Sequence, residues 1–160
     1  TLACVATFAT SYAVLPKAIF TNIASSPTSL VPGLGGIRFK TGVSSQFDRP
    51  FYSPDGSRWV IHCLNNAGTS SDDMIVEGSG TSGATGSVVA REGSAAPGLG
   101  GFIYGIFREG CAVNDQGNVA YSADTNAATT ADDVVYVWRR ATNIFEIFAR
   151  EGTQAVGQPS

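Results

Sequence analysis

Few residues in this chain are equipped for chemistry. The single histidine, His62, stands in the apolar run RWVIHCL, and two carboxylate pairs, Asp72/Asp73 and Asp132/Asp133, close Ser/Thr-rich segments. A histidine near acids and hydroxyls is the raw material of general-base catalysis. No G-x-S-x-G elbow accompanies it, however. Strand alternation also puts His62 on the face opposite Trp59, Ile61 and Cys63, as expected of a structural histidine. Adjacent aspartate oxygens could hold a hard cation such as calcium. Neither EF-hand spacing nor a nonapeptide calcium repeat frames these pairs, and an Asp before a strand more often accepts hydrogen bonds from loop amides. The expectation is a chain without enzymatic activity or cofactor, with calcium at Asp72, Asp73, Asp132 and Asp133 as the one metal candidate.

Three further sets of residues bear on binding. Arg91/Glu92 and Arg150/Glu151 occupy matching places and are close enough in sequence to form ion pairs within or between structural units. An exposed pair contributes about 0 to 1 kcal/mol, so its value would lie in register or subunit contact. Trp59 and Trp138 could stack on a sugar ring, but they fall on different strands of their units, which weighs against a repeated glycan site. Cys4, Cys63 and Cys111 show no zinc-ligand spacing, and three thiols allow at most one internal disulfide, whose formation the sequence leaves open.

The elements that must position these residues follow from composition. The chain has 160 residues and a net charge of -3, with 14% charged residues and 19 glycines, which fits one domain and offers no basic footprint for nucleic acid. Few Leu, Lys and Glu residues argue against a helical bundle and favour an all-β chain. The apolar opening TLACVATFATSYAVL lacks an initiating Met and a basic flank, so it reads as strands rather than a leader. It is also shorter than the roughly 20 apolar residues of a membrane span.

Internal similarity is the strongest signal. NAGTSSDD at 66–73 returns as NAATTADD at 126–133, and AREG at 90–93 returns at 149–152. SPDGSRWVI at 53–61 matches VNDQGNVAY at 113–121 with Gly56 on Gly117, and PGLGG occurs at 32–36 and 97–101. The period is about 60 residues. In the last unit four β-rich runs stand between turn clusters: FIYGIF (102–107), NVAYSA (118–123), DVVYVW (133–138) and IFEIFAR (144–150). The turns before the second strands need positive φ at or near Gly56 and Gly117. This predicts an all-β fold of propeller-like, four-stranded antiparallel blades. It is a single repeat domain over 1–160, divided into a partial repeat at 1–36 and full repeats at 37–101 and 102–160, with about 11 strands.

Asn114, Gly117, Ala120 and Tyr121 resemble the signature of the bacterial NxxGxxAF tandem-repeat, choice-of-anchor proteins, with Tyr in place of the final Phe. The segment VAREGSAAPG at 89–98 is similar to the continuation of those repeats, and SPDG at 53–56 is similar to the turn of TolB-like propeller repeats. The resemblance implies an extracellular or cell-surface setting and a blade architecture. It brings no shared catalytic activity.

Three blades would leave two open ends, since a closed propeller takes at least four. Exposed strand edges template association, and no lysine follows Lys40 to block them. Identical subunits are therefore the expected partners, assembled into a fibre, sheath or ring. A glycan is the alternative partner, for a propeller module closed by oligomerisation. Nucleic acid and a membrane span are not expected.

Overall fold

The computed structural model describes residues 30–40, 50–80 and 85–154. The expected strands at the start of the partial repeat, together with Cys4, lie outside these residues. Two four-stranded antiparallel sheets carry the fold. The first is ordered β1 (Phe51–Tyr52), β2 (Arg58–Leu64), β3 (Asp73–Ser79), β4 (Ser87–Arg91), and the second β5 (Tyr104–Val113), β6 (Val119–Thr125), β7 (Val134–Arg139), β8 (Ile144–Arg150). Among the described residues there is no helix long and apolar enough to cross a membrane.

Side-chain alternation explains the second sheet. Val119, Tyr121 and Ala123 on β6, with Val134, Tyr136 and Trp138 on β7, are buried, while the residues between them are half-buried. One face is core and the other is not. The first sheet differs, because β3 (DMIVEGS) is buried at six consecutive positions. That run is covered on both faces. Trp59, Ile61, Met74 and Val76 pack with Val31 and Phe39 from the segment 30–40, whereas Val60, Ile75, Val89 and Ala90 pack against the second sheet.

The inter-sheet core is aromatic. Tyr104, Phe107, Tyr121 and Tyr136 lie with ring centroids 5.4 to 6.2 Å apart. The Tyr104 and Tyr121 hydroxyls share a hydrogen bond of 2.7 Å, and Tyr136 Oη donates to the Pro97 carbonyl at 2.9 Å. Burial with satisfied hydroxyls is the arrangement tyrosine requires in a core. Desolvation pushes all three phenols up, Tyr136 to about 12.

The strand predicted as FIYGIF extends to Val113 as β5 and pairs with β6 through two register shifts. Gly110, at φ 102°, lies within the second irregular stretch. The hairpin turns carry the predicted backbone, with φ 73° at Gly56 and 80° at Gly117. Asn114 Oδ1 accepts the Gln116 and Asn118 amides, as Ser53 Oγ accepts that of Arg58.

The connecting segments also match. Val31 N–H donates to Ile37 O, and Ala96 N–H donates to Phe102 O, both at 2.9 Å. Arg38 N–H reaches Asn66 Oδ1 at 2.8 Å, and Ile103 N–H reaches Asn126 Oδ1 at 2.9 Å. Each PGLGG segment is thus a strap latched by the asparagine that opens the loop after the second strand of its sheet.

Candidate functional site

The seam between the sheets brings several of the singled-out residues together. Asp73 begins β3 and is buried; His62 Nε2 lies 2.5 Å from its Oδ1, and the Phe107 amide of β5 donates to its Oδ2 at 2.8 Å. Both carboxylate oxygens are engaged by the protein itself. Asp72, beside it, pairs with Lys40 at 3.1 Å. Asp73 is thus a clamp between sheets, and Asp72 answers a lysine. Among the described residues no group of three or more His, Cys, Asp or Glu side chains is placed to hold a metal ion.

Two more polar contacts cross the seam. Glu77, 1% exposed, accepts from Arg140 Nε at 3.2 Å, with Arg58 3.8 Å from its other oxygen. Asp55 N–H donates to Asp115 Oδ1 at 3.1 Å, so the two corresponding turns touch. The hydroxyls and amide of Ser53 and Ser57 hold the Asp55 carboxyl well below the usual range. An apolar centre with charge-assisted contacts around it fixes one relative placement of the sheets.

Arg91 and Arg150 each donate to a loop carbonyl of their own sheet. Arg91 Nε donates to the Ser71 carbonyl at 2.8 Å, and Arg150 Nε to the Ala131 carbonyl at 3.1 Å. Each arginine secures the Ser/Thr-rich loop of its own sheet. Glu92 and Glu151 return their amides to the carbonyls of Asp73 and Asp133, at 2.9 and 2.8 Å. The Glu92 carboxyl is raised by burial, with Asp72 and Asp73 adding repulsion.

Neither tryptophan is available to a sugar. Trp59 is 0% exposed and lies against Gly78, where an added Cβ would come within 2.2 Å of Cζ2. Trp138 is buried, and its indole N–H donates to Asn143 Oδ1 at 2.8 Å. A stacking platform must present its ring, so both belong to the core. Cys63 and Cys111 are buried in separate clusters.

On the second sheet the matching positions are less buried: Ala120 and Val135 are half-buried where Val60 and Ile75 are buried. Asp133, matching Asp73, is exposed, and Ser122 takes the place of His62. Arg108 Nε lies 2.7 Å from Asp124 Oδ1 and 3.5 Å from Asp133 Oδ1, at the side of a shallow depression of about 540 Å³. Burial and the hydrogen bond with Asp133 push the Asp124 carboxyl up to about 6 against the pull of Arg108. Asp132 is half-buried beside them.

The β3–β4 and β7–β8 pairs share a bulge that sharpens the contrast. Ile75 pairs with Ala90 and Val76 with Val88, leaving Val89 as the extra residue; Val135 pairs with Ala149 and Tyr136 with Ile147, leaving Phe148. Val89 precedes AREG at 90–93 as Phe148 precedes AREG at 149–152. Val89 is buried in the inter-sheet core, whereas Phe148 is 75% exposed.

Sequence reading did not find the His62–Asp73–Phe107 clamp, Arg108 or the Glu77–Arg140 contact. The recurring DD dipeptide was the available signal for the first. No curated protein and no solved structure matches this chain. A family model does match residues 20–160, and on that coverage the chain belongs to DUF7453, a family of unknown function.

Proposed function

We propose that this is a non-enzymatic structural protein of the cell surface or extracellular space, built from propeller-like blades, that self-associates into a fibre, sheath or ring. One observation carries the reading. Phe148 holds the bulge position that is core in the first sheet, yet it is 75% exposed in the second. A large aromatic left bare on an edge strand is costly in water and favours association. Ile144 and Ile147 on the same strand are also exposed. The resemblance of Asn114, Gly117, Ala120 and Tyr121 to the NxxGxxAF repeats supports the extracellular setting.

The carbohydrate-binding alternative loses its aromatic platforms with the burial of Trp59 and Trp138. Negative-stain electron microscopy combined with size-exclusion light scattering tests the proposal. Rings or filaments that grow with protein concentration are the expected result. A species that stays at 16.6 kDa at every concentration would refute it. Binding of that monomer on a glycan array would revive the alternative.

A further inference from the structure

Asp55–Gly56 is the only Asp-Gly step in the sequence, which contains no Asn-Gly. An aspartate followed by glycine is especially prone to isomerise, because glycine has no Cβ to keep its nitrogen away from the preceding side chain. We infer that Asp55–Gly56 is a conditional modification site: the folded turn keeps the aspartate intact, and the chain converts to isoaspartate there once the turn opens. Every group involved belongs to two hairpin turns of one chain, so self-association plays no part.

Conversion needs a protonated Asp55 carboxyl and a free Gly56 nitrogen. The nitrogen attacks Cγ, the N–Cγ bond forms as a carboxyl C–O bond breaks, and the hydroxyl leaves with the amide proton as water. Water then opens the five-membered imide at either carbonyl, giving back aspartate or leaving the main chain running through the side chain. No other co-reactant is required.

The folded turn withholds both reactants. Asp55 Oδ1 accepts from Ser53 Oγ at 2.6 Å, from the Ser57 amide at 2.9 Å and from Ser57 Oγ at 2.7 Å. These donors favour the ionised carboxyl, whose oxygen is a poor leaving group. Gly56, at φ 73°, spends its N–H on the Ser53 carbonyl at 2.9 Å, and the Asp55 N–H is tied across the seam to Asp115 Oδ1 at 3.1 Å. Asp55 itself is exposed, so contacts rather than exclusion of water protect it. The matching turn shows that its geometry does not require the aspartate: Gly117, at φ 80°, donates to the Asn114 carbonyl at 2.8 Å with Gln116 before it. A glutamine would have to close a six-membered ring, which is far slower. Isoaspartate adds a main-chain carbon at residue 55 and draws its N–H away from Asp115, so a copy that stays unfolded is marked permanently while a folded copy is preserved.

The test incubates the whole chain at neutral pH, folded and in urea, and follows isoaspartate at residue 55 by peptide mapping and by labelling with an isoaspartyl carboxyl methyltransferase. The folded chain should convert at least about tenfold more slowly than the chain in urea. Ser57→Ala removes one hydroxyl donor at an exposed position and should raise the folded rate about two- to tenfold, the equivalent of one hydrogen bond, with its melting midpoint showing that it remains folded. Asp55→Gln, which copies the second turn, should abolish the signal in urea. Equal rates for the folded and the urea-treated chain would overturn the inference without any variant. A folded Ser57→Ala that converts no faster than wild type, or a signal that persists in Asp55→Gln, would overturn it as well.

Discussion

Asp73 and Asp133 each follow an aspartate at the end of matching segments, and their surroundings are opposite. Asp73 is buried between His62 and the Phe107 amide, whereas Asp133 is exposed beside Arg108. Removing one partner of a buried hydrogen bond costs about 1–3 kcal/mol, because the partner left behind cannot return to water. Asp73→Ala strands the Phe107 N–H inside the seam and should destabilise the fold by that amount. Asp133→Ala alters an exposed group and should stay within about 0.5 kcal/mol in dilute solution. Urea melts of the two variants check the contrast. Equal losses would mean that the seam hydrogen bond does not hold the sheets. The DD pairs marked this place in the sequence, but the use of the first pair was not legible there. Phe107 contributes a main-chain N–H from 34 residues away, and an amide leaves no mark on residue type.

At the scale of the element, legibility depended on how many faces were buried. NVAYSA and DVVYVW correspond to β6 and β7 because alternation with one core face writes itself into residue order, and IFEIFAR corresponds to β8 through its β-branched and aromatic residues. The length of β5 was not legible. Its interior Arg108-Glu109-Gly110 breaks the apolar pattern, and the ladder resumes only at Cys111 after a register shift. The straps were missed for a related reason: their order comes from the latches at Asn66 and Asn126, not from any periodicity. β8 sits at the edge of its sheet with Phe148 bulged out of register. Phe148→Lys replaces an exposed aromatic with a charge that blocks edge pairing. Its melting midpoint should match wild type, since no folded-state core is lost, while the concentration needed for assembly rises. A lowered midpoint would place Phe148 in the fold of the single chain and remove it from the association surface.

For the whole molecule, the question is whether two sheets make one folding unit. Each has its own strap, but they share a core: Val60, Ile75, Val89 and Ala90 of the first lie against Phe107, Cys111, Val113 and their neighbours in the second. The first sheet needs that cover, because its third strand is buried on both faces. Separation would also expose Glu77 and Asp73, whose partners Arg140 and Phe107 come from the second sheet. Loss of a shared core with its charged contacts should therefore be all-or-none. The two tryptophans report on this independently, since Trp59 lies in the cluster under segment 30–40 and Trp138 in the inter-sheet core. In Trp138→Phe the fluorescence follows the first sheet, and in Trp59→Phe it follows the second. Within each variant the fluorescence transition in urea should coincide with that of far-ultraviolet circular dichroism, which reports both sheets. A fluorescence midpoint well separated from the dichroism midpoint in either variant would show the sheets unfolding one after the other. The seam would then be a docking contact between two stable units.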